Sequence, residues 1–140
     1  MKHFTLLLAA LFAAIAAHAE PLWMRYPAIS PDGEKIAFPY QGSIYVVPTA
    51  GGQATRLTTT ECHNSLPVWS PDSKSLAYAS DRYGNYDIFI VSVDGGQPTR
   101  LTTHSAKEEP YAFSNDGQKI YFGASISDPA SSALFPKSSM

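Results

Sequence analysis

Four small clusters of serine, histidine, cysteine and acidic residues are the places where this chain could do chemistry. Gly123-Ala124-Ser125-Ile126-Ser127 approaches the Gly-x-Ser-x-Gly turn that presents a nucleophilic serine, but it lacks the closing glycine and sits in a strand-like context. His63 and His104 follow equivalent strands at the ends of two similar segments and read as connecting residues, with no serine placed to use either as a base. Cys62 and His63 are adjacent, and neighbours in an extended chain point to opposite sides, which makes them a poor metal pair. Asp81, Asn85 and Asp87 carry oxygens suited to calcium, yet Tyr83 stands where the calcium-loop pattern requires Asp or Asn, so a polar hairpin loop is expected. No residue is therefore assigned as catalytic, cofactor-binding or metal-binding, and no cofactor is expected.

The elements that must carry these residues are set by an internal repeat. The first copy holds Pro27-Ala28-Ile29-Ser30, the turn Ser30-Pro31-Asp32-Gly33, the runs Lys35–Phe38 and Ile44–Val47, then Gly51-Gly52 and Thr55-Arg56-Leu57-Thr58-Thr59. The second holds Pro67-Val68-Trp69-Ser70, Ser70-Pro71-Asp72-Ser73, Ser75–Tyr78, Ile88–Val91, Gly95-Gly96 and Thr99-Arg100-Leu101-Thr102-Thr103. A third opens with Pro110-Tyr111-Ala112-Phe113-Ser114, runs through Asn115-Asp116-Gly117 and Lys119–Phe122, and then loses the pattern. The period is 40 residues from Ser30 to Ser70 and 44 from Ser70 to Ser114, the extra four lying between Ala77 and Ile88. Four strands in a period of this length are the mark of a β-propeller blade.

Each landmark has a local reason. Ser-Pro-Asp-Gly suits a type I turn between the first and second strands, with proline presetting φ and glycine accepting the last position. Ser73 and Asn115 weaken that turn without abolishing it. Ala50-Gly51-Gly52 and Asp94-Gly95-Gly96 supply positive φ, and a tight hairpin is expected there between the third and fourth strands. Ile44–Val47 and Ile88–Val91 are apolar on nearly every residue, the pattern of strands buried on both faces. Tyr26, Tyr45, Trp69, Tyr78, Phe89, Tyr111 and Phe122 then read as packing between blades, not as a ligand platform. Pro39, Pro48 and Pro98 are expected at strand ends or on outer strands. Beyond Asp128, Pro129–Ser132 reads as loop and Leu134-Phe135-Pro136 as the start of another pairing.

The first 19 residues are different material. Lys2 precedes an apolar stretch from Phe4 to Ala17, and Ala17-His18-Ala19 offers the small residues that a signal peptidase accepts. The stretch falls short of the roughly 20 residues needed to span a bilayer. A leader over 1–19 is expected, cleaved after Ala19, giving a periplasmic or secreted chain with no membrane attachment. One cysteine allows no bridge within the chain. The formal charge of −2 becomes −3 without Lys2, and its scattered signs give no surface for nucleic acid.

At these repeat residues the sequence resembles the propeller blades of the tricorn protease and TolB families. The Ser-Pro-Asp-Gly turn, the Ile-Tyr-Val type strand and the Gly-Gly before Leu-Thr carry the resemblance, and propeller-bearing dipeptidyl peptidases share it. Pro21-Leu22-Trp23-Met24-Arg25-Tyr26-Pro27, following a leader directly, looks most like exported tricorn-like peptidases, whose serine protease core lies far downstream. The resemblance implies an all-β partial propeller of about two and a half blades, over 20–60, 61–104 and 105–140, within a longer chain that completes it. It also implies a non-catalytic piece that gates or binds peptide or protein substrates. The alternative is a TolB-like periplasmic scaffold that binds envelope proteins. A ring of several short copies is the third reading, set against by open strand edges.

Overall fold

The computed structural model describes residues 24–59 and 61–125. The leader expected over 1–19, the 129–132 loop and the pairing from Leu134 lie outside them. Among the described residues ten antiparallel strands form three sheets, ordered β1-β2-β3-β4, β5-β6-β7-β8 and β9-β10. The first comprises β1 (Ala28–Ile29), β2 (Lys35–Tyr40), β3 (Ser43–Pro48) and β4 (Thr55–Arg56). The second repeats it with β5 (Asn64–Trp69), β6 (Ser75–Ser80), β7 (Asp87–Ser92) and β8 (Thr99–Arg100). The third has β9 (Glu108–Phe113) and β10 (Ile120–Ala124).

The turn joining the first two strands of each sheet is built identically three times. Gly33, Ser73 and Gly117 donate their N–H to the carbonyls of Ser30, Ser70 and Ser114, at 2.8, 2.9 and 2.8 Å. Each serine hydroxyl donates to Asp32, Asp72 or Asp116 at 2.5, 2.6 and 2.5 Å. The same hydroxyl accepts the N–H five residues on, from Lys35, Ser75 or Lys119, at 2.9 Å in every copy. The third turn lacks proline but keeps this network, so Asn115 costs only the preset φ. Gly33 and Gly117 have φ +74° and +71°, and Ser73 is held at +59°. A serine is tolerated there because its hydroxyl accepts the Asp32 N–H of the preceding sheet at 3.1 Å.

The hairpins between second and third strands differ in length, and this accounts for the extra four residues. Gln41 and Gly42 make a two-residue loop with φ +47° and +77°, the signature of a type I′ turn. Between β6 and β7 the loop runs over residues 81–86. The tight hairpin expected at the Gly-Gly pairs is a correction: β3 and β4 are separated by residues 49–54, β7 and β8 by 93–98. All four glycines do take positive φ. Pro39 is a second correction, since it lies inside β2 opposite Ile44. It is tolerated because β1 begins only at Ala28, opposite Ala37, leaving no strand beside Pro39 to receive an N–H.

Burial follows the stacking of the sheets. In the second sheet, flanked by the other two, every residue of β6 from Leu76 to Ser80 is buried, as are Ile88, Phe89 and Val91. Burial of Leu76, Ile88 and Phe89 contributes roughly 1.5–3 kcal/mol each. In the first sheet Ile44 is buried but Tyr45, Val46 and Val47 are half-exposed, because one face has no neighbour among the described residues. The aromatic residues divide likewise. Trp69, Tyr78 and Phe89 pack between sheets, whereas Tyr26, Tyr111 and Phe122 are exposed, the last two on the uncovered third sheet.

The Thr-Arg-Leu-Thr motif closes the first and second sheets by side chains more than by its two-residue strand. Leu57 and Leu101 donate their N–H to Ile44 and Ile88. Thr58 and Thr102 return the favour through their hydroxyls, each accepting an isoleucine N–H at 2.9 Å. Arg56 donates to Ser43 and Arg100 to Asp87, at 3.0 and 2.7 Å. Asp87 is fully buried, so Arg100 is its compensating charge.

Two seams hold the three sheets together. The Gly42 carbonyl accepts the N–H of Asn64 at 3.0 Å, and at the equivalent place the Tyr86 carbonyl accepts that of Glu108 at 2.9 Å. The Trp69 indole donates to the Ala28 carbonyl at 2.8 Å. Asn64 Nδ2 reaches back to Gly42 at 2.7 Å, while Asn85 reaches forward to the carbonyls of His104 and Ala106 at 2.7 and 3.2 Å. The longer 81–86 loop thus does for the second seam what Asn64 does for the first.

Two outcomes follow. The serine hydroxyl, and then a backbone N–H, hold Asp32, Asp72 and Asp116 below the ordinary value of 3.8. A lowered carboxyl contributes stability that is complete above its ordinary value and lost as pH falls through the lowered one. The denaturant midpoint therefore declines below about pH 4, and Asp72→Asn is less stable at pH 7 with a shallower acid decline. Arg100→Ala leaves the buried Asp87 without its counter-charge and costs about 3–5 kcal/mol in chemical denaturation. Asp87→Ser costs less, since Ser43 occupies that place in the first sheet.

Candidate functional site

The first strand of each sheet lies at one end of the strand order, and β1, β5 and β9 stand side by side. Where these strands begin, at the ends away from the Ser-Pro-Asp turns, the three sheets enclose a cleft of about 560 Å³. The alternation of strand residues decides what enters it. His63 and Ser65 line the cleft while Asn64 turns away into the first seam. Lys107 and Glu109 line it while Glu108 is buried on the other side. Arg25, Tyr26, Tyr40, Leu66 and Tyr86 complete the walls.

Polar and aromatic side chains stand together in the cleft. Lys107 Nζ pairs with Glu109 Oε1 at 2.6 Å and lies 5.4 Å from the centre of the Tyr86 ring. That hydrogen bond to Glu109 raises the Lys107 ammonium above the ordinary 10.5, keeping it charged. Burial, then the nearby Asp81 carboxylate, raises the Tyr86 hydroxyl above 10.0, so it stays a neutral donor. His63 meets the Tyr86 ring edge-on at 6.3 Å. The arrangement can bind a chain carrying both apolar and polar groups.

Two cleft residues are held in a conformation that side chains avoid. Tyr26 has φ +51° and Leu66 φ +53°, and both precede a proline. The left-handed region costs a non-glycine residue roughly 1–2 kcal/mol, and a following proline adds to it. These are equivalent positions, each four residues before the turn serine.

The residues singled out in the sequence are spread apart. Cys62 Sγ lies 3.4 Å from Ser80 Oγ, while His63 faces the cleft. The Asp81 carboxylate accepts the His63 N–H at 2.7 Å, Asp87 pairs with Arg100, and Asn85 Nδ2 donates to Asp87 at 3.4 Å as well as to the second seam. Among the described residues no three such groups lie together as a metal site. His104 Nδ1 accepts the Ala106 N–H at 3.0 Å. Gly123 and Ala124 are in β10, and Ser127 lies outside the described residues. Sequence reasoning missed the cleft. Its signal was there in Tyr26-Pro27 and Leu66-Pro67, of which the prolines were read only as strand landmarks and Tyr26 only as packing between blades.

Comparison with known proteins agrees with this architecture. The Tricorn protease homolog 1 of Streptomyces coelicolor is 33% identical over 70 residues, covering 50% of this chain and 6% of that protein. The structure of putative TolB from Agrobacterium tumefaciens superposes with a TM-score of 0.69 at 31% identity, over 76% of this chain and 40% of that one. The crystal structure of the tricorn protease shares the fold at a TM-score of 0.63 and 17% identity, over 83% of this chain and 12% of that one. The matched part of this chain thus spans less than half the length of each of these relatives. Residues 21–135 match the family described as the tricorn protease N-terminal beta propeller domain. With three blade-like antiparallel sheets joined by matching seams, the chain belongs to that family.

Proposed function

We propose that this chain is the non-catalytic N-terminal propeller of an exported tricorn-like serine peptidase, where it gates or binds peptide substrates for an active site elsewhere in a longer protein. The observation that carries the reading is the cleft where the first strands begin, in a chain of this family. Its aromatic faces suit apolar side chains, and the Lys107–Glu109 pair suits the polar groups of a peptide. A TolB-like scaffold that binds envelope proteins is the second reading, favoured by the 31% identity to the Agrobacterium protein.

In the full-length parent protein, labelled unstructured peptides should bind in an anisotropy titration. Tyr86→Ala should weaken them about 3–10-fold, as expected for loss of one aromatic contact. Equal affinity in parent and variant would remove the cleft from the function. Capture of a folded envelope protein with no peptide binding would favour the scaffold. Export is part of the same proposal: the mature protein should begin at Glu20 by N-terminal mass spectrometry, and a chain retaining Met1 would contradict it.

A further inference from the structure

We infer that the three first strands are built to refuse strand addition, so that an extended peptide in the cleft is read through side chains and not captured through its backbone. This rests on the peptide reading above and specifies how such a ligand is held.

Each first strand is the edge of its sheet, and an edge ordinarily offers unpaired N–H and C=O groups to any extended chain. Peptide recognition by strand addition uses that template. Here the template is broken in all three copies. β1 is only two residues long. β5 loses register between Ser65 and Val68, leaving Leu66 and Pro67 out of the ladder. β9 is bulged at Tyr111, since Ala112 pairs with Tyr121 and Pro110 with Phe122.

A proline sits at every break, and each removes a donor. Pro27 and Pro67 follow the left-handed residues Tyr26 and Leu66. In the third copy the proline is one position earlier, at the place where Tyr26 and Leu66 take positive φ. Its ring forbids that conformation. The bulge accordingly shifts by one residue, to Tyr111, and Gly123 gives room for the Tyr111 ring, which lies 2.9 Å from where a Cβ would be. Two different local solutions thus give the same result, an interrupted edge. Short strands, bulges and proline are the devices by which sheets protect edges.

With the backbone template gone, the groups left to a ligand are side chains that differ from blade to blade: the Tyr26 ring, the Leu66 aliphatic chain and the Glu109 carboxylate. All three line the cleft.

The test uses the full-length parent protein, one binding peptide and two analogues, N-methylated on odd or on even backbone amides. A strand added to an edge uses only alternate amides, so one analogue would always block it. Both analogues should bind within about threefold of the parent peptide. A loss of tenfold or more in one analogue alone would overturn the inference and leave peptide binding standing. Failure of the unmodified peptide to bind would overturn both. Leu66→Ser supplies a second reading: affinity for peptides with an apolar side chain should fall about 3–10-fold, and unchanged affinity would contradict side-chain reading.

Discussion

One backbone hydrogen bond, made twice, sets the relation of the sheets. The carbonyl just before each third strand receives the first N–H of the next sheet, Gly42 from Asn64 and Tyr86 from Glu108. It fixes where β5 and β9 begin, and from there the register places Trp69 against Ala28 and Ser73 against Asp32. The same register alternates residues between seam and cleft, so that Asn64 and Glu108 are buried while His63 and Lys107 line the cleft. Gly42 cannot be replaced easily at this point. A Cβ there would stand 2.9 Å from the Cys62 carbonyl, and its φ of +77° already disfavours a side chain.

The seams are polar, and the packing between them is aromatic. Phe89 stacks on Tyr78 at 6.1 Å and on Tyr83 at 6.2 Å, and the Arg82 guanidinium lies 4.1 Å from its ring centre. Arg82 also donates to the Tyr78 hydroxyl at 3.0 Å, which satisfies a phenol whose residue is fully buried. Burial raises the Tyr78 hydroxyl above its ordinary value, so it remains neutral and bonded. Directional bonds at the strand starts and non-directional burial along the strands together explain why one repeat stacks on the next in a single way. Glu108 marks a difference between seams: one of its buried oxygens has no partner among the described residues.

Much of this was legible in the residues. Ser30-Pro31-Asp32-Gly33 and its copies announced a turn, and the three turns share one hydrogen-bond network. The four-residue difference in period located the longer hairpin. Thr55-Arg56-Leu57-Thr58 was recognisable as a unit, but not that its threonine hydroxyl would replace a backbone acceptor, since that depends on the register with β3. Gly51-Gly52 misled because positive φ is necessary for a tight hairpin without being sufficient, whereas Gln41-Gly42 formed one without a conspicuous signal. The cleft was hidden for a further reason. It is assembled from the start of three separate strands, and a repeat seen along one dimension does not reveal which positions converge.

A preformed cleft requires seams as firm as the sheets they join. Hydrogen exchange on the intact protein, resolved to single amides, tests this directly. Asn64 and Glu108 should be protected to the same degree as ladder amides such as those of Leu76 and Val91, within about tenfold. If those two amides exchange freely while the ladders stay protected, the sheets are independent units and the cleft between them is not a preformed site.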